Sequence, residues 1–93
     1  MRTRALRESR VEAERLALAT RSALVADGDL LSDRERKAIV ALAVQVEAAA
    51  SGNDHHAIDA AIEALARGTE AFAARRMNRG IRAALAGRKV EEV

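Results

Sequence analysis

The sequence predicts an all-α fold, an antiparallel three-helix bundle with a long first helix. Three observations lead there. The 93 residues contain no proline, so helices can run without interruption. Alanine supplies 23 of them, which favours helix and lets helices approach closely. Apolar residues recur every three to four positions in three segments, separated by Asp27-Gly28-Asp29 and Ser51-Gly52-Asn53.

The first helix is expected over residues 3–26. Leu6, Ala13, Ala17, Thr20 and Leu24 lie along one stripe with Leu16 beside it, and Val11, Leu18 and Val25 form a second stripe. Arg4 with Glu8 and Arg10 with Glu14 stand four apart as opposite-charge pairs. At about 36 Å this helix is long for so small a domain, so its first turns project or pack on something outside this chain. Gly28 suits a left-handed cap at its end.

Ser32-Asp33-Arg34-Glu35 then has the spacing of a capping box, with Leu31 in the position of a hydrophobic staple. It opens a second helix over 33–50, whose inner face is Ile39, Leu42, Ala43, Val46, Ala49 and Ala50. Gly52 is the expected residue past its end. Asp54 is suited to cap a third helix over 55–79, with Ile58, Ala61, Ile62, Leu65, Thr69, Phe72, Ala73 and Arg76 along one face. Met77, Ile81 and Leu85 drift off that face, and Asn78-Arg79-Gly80 offers a bend, so residues 81–86 are read as a short fourth helix. Gly87 is expected to end helical structure, which makes 1–87 the helical bundle and 88–93 a C-terminal tail.

The length allows one domain with a thin core. Phe72 is the single aromatic residue, which argues against an aromatic-lined ligand pocket. No cysteine is present, so disulfides and thiolate metal sites are excluded, as suits a reducing cytoplasm. No apolar run reaches the length that spans a bilayer, and no signal peptide follows the basic start Met1-Arg2-Thr3-Arg4.

Chemistry is sparse. His55-His56 are helical neighbours pointing about 100° apart, the wrong spacing for a shared metal, so no metal site is expected. Ser9, Ser22, Ser32 and Ser51 have no histidine placed as a base, and no glycine-rich phosphate loop exists. The expected catalytic, cofactor-binding and metal-binding residues are therefore none. Residues 75–89 carry Arg75, Arg76, Arg79, Arg82, Arg88 and Lys89 with no acid. Without interleaved aromatics this run reads as a solvated face; a nucleic-acid or acidic-partner footprint is the competing reading.

Beyond these patterns the residues carry a resemblance. Val11-Glu12-Ala13-Glu14-Arg15, then Ala23-Leu24-Val25-Ala26-Asp27 leading to Leu30-Leu31-Ser32-Asp33-Arg34-Glu35-Arg36, and Phe72-Ala73-Ala74-Arg75-Arg76-Met77 resemble the C-terminal end of the HscA chaperones. These are the seventy-kilodalton heat-shock proteins of bacterial iron–sulfur cluster assembly. Gly52-Asn53-Asp54 with Ala57-Ile58-Asp59-Ala60-Ala61-Ile62 is similar to both HscA and its relative DnaK, and Ala84-Leu85-Ala86-Gly87 to Val90-Glu91-Glu92-Val93 resembles an HscA terminus. The ordered set spans nearly the whole chain, although no single block is a strong motif.

The resemblance implies the helical lid of a substrate-binding domain, which closes over bound peptide and slows its release. ATP would be bound by an upstream domain and by nothing in this chain. Implied partners are the protein's own β-sandwich, an IscU-like scaffold protein as client and an HscB-like J-domain protein. Aligned on the Gly28 turn, Glu14 falls near the family's acidic latch position, where the DnaK-like pattern has aspartate. Alternatives from other classes are a free-standing basic helical module for nucleic acid or an acidic protein, and an oligomerisation domain pairing through the first helix.

Overall fold

The computed structural model describes the backbone of residues 2–92 and the side chains of residues 4–87. Four helices follow in order: α1 (Arg2–Asp27), α2 (Asp33–Ala50), α3 (His55–Gly68) and α4 (Glu70–Glu92), with a 3-10 turn at Gly28–Leu30 between the first two. Helices α1, α2 and α3 run up, down and up around one core, and no strand occurs among the described residues.

The starts of α2 and α3 follow from local chemistry. Glu35 N–H donates to Ser32 Oγ at 3.1 Å and Ser32 N–H donates to Glu35 Oε1 at 2.9 Å, which completes the capping box. Leu31 packs half-buried against the core beside it. Asp54 Oδ1 accepts from the backbone N–H of His56 and Ala57 at the start of α3.

The turns differ from expectation. No glycine among the described residues has positive φ. Gly28 therefore opens the 3-10 turn instead of a left-handed cap, with Leu31 N–H donating to its carbonyl at 3.1 Å. Gly52 does not close α2 in the left-handed form either. Arg10 does part of that work: its guanidinium donates to the carbonyls of Ala50 (3.2 Å) and Gly52 (2.7 Å) and to Asn53 Oδ1 (2.8 Å). A cation there also suits the negative end of the helix dipole. The expected Arg10–Glu14 pair is absent among the described residues, because Arg10 is committed across the bundle; Arg4–Glu8 forms at 3.3 Å.

The expected third helix over 55–79 is two helices, divided at Thr69. Gly68 sits where α3 meets α2, and a methyl group there would fall on Leu42 Cδ1. Close packing is thus the role of Gly68. Thr69 turns its hydroxyl back onto the carbonyls of Leu65 (2.9 Å) and Ala66 (3.2 Å), an arrangement that bends helices. The ladder still crosses the joint, through Thr69 N–H to Leu65 O and Ala73 N–H to Thr69 O, so the break is a kink and not a loop. The bend expected at Asn78–Gly80 does not occur. Residues 81–86 belong to α4, which also runs through Gly87 and takes in the expected tail as far as Glu92; Val93 lies outside the described residues. Gly80 and Gly87 have open space where a Cβ would sit. Each costs at most about 1 kcal/mol relative to alanine, too little to stop a helix rich in Ala, Leu and Arg.

The core is built from Ala13, Ala17, Ala23 and Leu24 of α1, Ile39, Ala43 and Val46 of α2, Ile58 and Leu65 of α3, and Phe72 of α4. Alanines at four of these positions allow the helix axes to approach toward the short end of the usual 8–10 Å range. Two buried hydroxyls are satisfied: Ser9 donates to Asp59 Oδ1 at 2.7 Å and Thr20 donates to Leu16 O at 2.8 Å. Arg21 grips Glu47 through two hydrogen bonds of 2.7 Å, tying α1 to α2.

The molecule is elongated, 59 × 30 × 17 Å, with a radius of gyration of 16.6 Å. A compact chain of this length would have about 12 Å. The excess length comes from the two ends. The first turns of α1 extend past the α2–α3 connection, and α4 extends past the corner at Asp27–Leu30.

Candidate contact surface on the first helix

Helix α1 has a buried stripe and an outward one. Val11, Leu18 and Val25 are seven residues apart, which keeps them on nearly one line of an α-helix, spanning about 21 Å. The bundle leaves all three in solvent, at 49%, 68% and 87% exposure. Glu14 lies three residues after Val11 and four before Leu18, on the same edge. It is exposed and, among the described residues, in no ion pair. A carboxylate without a partner, centred in an apolar line, suits a cation set in an apolar partner surface.

Beside this edge an open groove of about 710 Å³ runs between α1 and α3. Val11, Leu16, Ala19, Ile62 and Ala66 make its apolar lining, and Arg7, Glu8, Glu12 and Arg15 edge it. Open along its length, it suits side chains of a macromolecular partner better than an enclosed small molecule. Periodicity marked Val11, Leu18 and Val25 as a stripe; only packing reveals that the bundle does not cover it.

The other candidates resolve differently. His55 and His56 stack with ring centres 4.0 Å apart, and His55 Nδ1 is 3.9 Å from Asp59 Oδ2. Among the described residues no three histidine or acidic side chains converge as a metal site. Three arginines of the basic run, Arg75, Arg76 and Arg79, are engaged within the molecule. Arg75 donates to Leu30 O at 3.1 Å and to both Glu35 oxygens at 3.0 and 2.9 Å. Arg76 donates to Asp27 at 2.8 Å, and Arg79 donates to Asp27 and Asp29 at 2.6–3.0 Å. The Arg75 hydrogen bonds, followed by the Ser32 backbone N–H, hold the Glu35 carboxyl down at about 2. Asp27 is lowered chiefly by Arg76, and Asp29 by Arg79. These arginines sit on α4 but answer carboxylates of the α1–α2 corner, forty or more residues away. That distance is why the run reads as a solvated or nucleic-acid-binding face in sequence.

No helix among the described residues is long and apolar enough to cross a membrane. No family model matches the chain. Curated relatives match it from end to end. It is 69% identical over 93 residues to the chaperone protein HscA homolog of Methylibium petroleiphilum, covering 100% of this chain and 15% of that protein. With the HscA homologs of Janthinobacterium sp. and Herminiimonas arsenicoxydans the identities are 60% and 62%, again over 100% of this chain and 15% of theirs. The chain thus spans about one-seventh of the length of these relatives. With every residue aligned at such identity, the chain belongs to the HscA chaperone family as a segment of it, consistent with the C-terminal part.

Proposed function

We propose that the chain is the lid of the substrate-binding domain of an HscA-type chaperone, closing over a bound client peptide and slowing its release. The observation that carries this reading is the uncovered edge of α1, Val11–Glu14–Leu18–Val25, on a helix otherwise fixed in a bundle. A lid needs no chemistry of its own, only contacts that differ between its open and closed positions. In this reading the edge rests on the β-sandwich when the lid is shut, and Glu14 latches a cation there. The wider setting proposed is iron–sulfur cluster assembly in the cytoplasm, with an IscU-like client and an HscB-like J-domain partner. ATP would be bound and hydrolysed by the remainder of the protein, with no cofactor held by this segment.

The test uses the whole chaperone. Val11→Ser with Leu18→Ser removes apolar contact without touching the bundle core. Losing even part of the 1.5–3 kcal/mol of a buried leucine should speed peptide dissociation roughly tenfold or more. Glu14→Ala should give a smaller acceleration. An unchanged dissociation rate in the double variant, with helicity intact, would sink the lid reading.

A further inference from the structure

Helix α4 is attached to the molecule by a different chemistry from the other three. Phe72, in its first turn, is its one buried apolar side chain among the described residues. Beyond Phe72 its hold on the body is made by guanidinium groups, chiefly as ion pairs, with Arg75 also donating to Leu30 O. Arg75, Arg76 and Arg79 reach Glu35, Asp27 and Asp29, all within the 27–35 corner. Met77, Ile81 and Leu85 stand on the opposite side of the helix, in solvent. Its root is the one-residue interruption at Thr69, where φ is −107° and ψ is 2°.

We propose that α4 is a hinged arm, pivoting at Thr69 and locked in direction by the three arginines of its root against the α1–α2 corner. Screening those ion pairs frees the arm while α1, α2 and α3 stay packed. The two kinds of contact respond differently to salt. Partly exposed ion pairs weaken as ionic strength rises, whereas apolar burial does not. Neither Gly80 nor Gly87 offers a rival pivot, because α4 is helical through both. The arm itself therefore moves as a rod. From Thr69 to Ala86 it is about 26 Å long, so a swing of about 20° displaces its tip by about 9 Å. This inference does not depend on the lid reading, since it concerns only contacts within the chain.

The chain has no cysteine, so Ala41→Cys on α2 and Ala86→Cys on α4, both exposed, give a unique fluorophore pair. The expected result is a narrow distance distribution at about 0.01 M salt that shifts and broadens at about 1 M, where the Debye length falls from ~30 to ~3 Å. Far-UV helicity should stay constant throughout. Arg75→Ala with Arg79→Ala should give the broad distribution at every salt concentration. Arg75→Lys with Arg79→Lys, which keep both charges, should hold the narrow one at low salt. A distribution that is the same at both salt concentrations in the unsubstituted chain overturns the proposal. So does loss of helicity together with arm release, because the arm would then not be separable from the body.

Discussion

Helices α2 and α4 are made of similar residues, yet the molecule holds them by opposite means. Over 18 residues α2 buries Ile39, Ala43 and Val46 and offers neighbours on both sides an apolar surface. Over 23 residues α4 buries Phe72 and leaves Met77, Ile81 and Leu85 in water. The first is secured chiefly by area removed from solvent, which ionic strength does not screen, with the exposed Arg21–Glu47 pair beside it. The second is secured by guanidinium–carboxylate geometry at one corner, which is sensitive to salt and pH. Helical periodicity alone does not say which of these a helix will use. An apolar stripe stabilises a helix only where another element arrives to cover it.

Four measurements test this contrast. The largest effect belongs to the one side chain that joins both regimes. Phe72→Ala should cost about 3–5 kcal/mol, and Ile58→Ala in the body about 2–5 kcal/mol, read as shifts of the urea midpoint. A Phe72 loss under about 1 kcal/mol would mean that Phe72 does not anchor α4 and the arginines alone hold it.

Next come the two helical glycines. Gly80→Ala meets open space and should stabilise by about 0.5–1 kcal/mol. At Gly68 the new methyl must displace the end of the Leu42 side chain, so Gly68→Ala should stabilise less than Gly80→Ala. Equal responses at the two sites would erase the distinction between packed and free helix.

Smaller still, Met77→Ser and Leu85→Ser on the outward side of α4 should change stability by no more than about 0.5 kcal/mol.

The last test leaves no trace at ordinary pH. Glu35 titrates near 2 in the folded chain against 4.5 for an unperturbed glutamate, and Asp27, Asp29 and Glu47 are lowered in the same direction. Groups lowered in this way contribute stability that is fully present above pH 4.5 and is lost as pH falls through about 2. Acid titration of the fluorophore pair should therefore displace α4 only in that window, and a transition near neutrality would contradict the ion-pair geometry.

Local signals are legible in the sequence. Ser32 with Glu35, and Asp54, each act on backbone N–H groups two or three residues away, so their geometry is set before any tertiary contact exists. The buried stripe Ala13–Ala17–Thr20–Leu24 and the faces of α2 and α3 also followed from periodicity. The glycine turns are not legible there, because Arg10 caps α2 from forty residues away and removes the need for a left-handed residue. The division of the expected third helix is hidden for a similar reason. Gly68 and Thr69 look like weak helix formers, and only the approach of Leu42 makes their place decisive. The candidate contact edge was half legible: Val11, Leu18 and Val25 were visible as a stripe, but not as an uncovered one.

By itself the sequence determined the number of amphipathic segments, two of the helix starts, the absence of thiol chemistry and the family to which the residues belong. These depend on neighbours within about four positions, or on residue identity alone. Tertiary structure decided where the last helix points, which arginines are occupied and which apolar stripe remains open. Those outcomes rest on pairs forty or more residues apart, whose meeting depends on how three helices fill one core, and no local pattern encodes that.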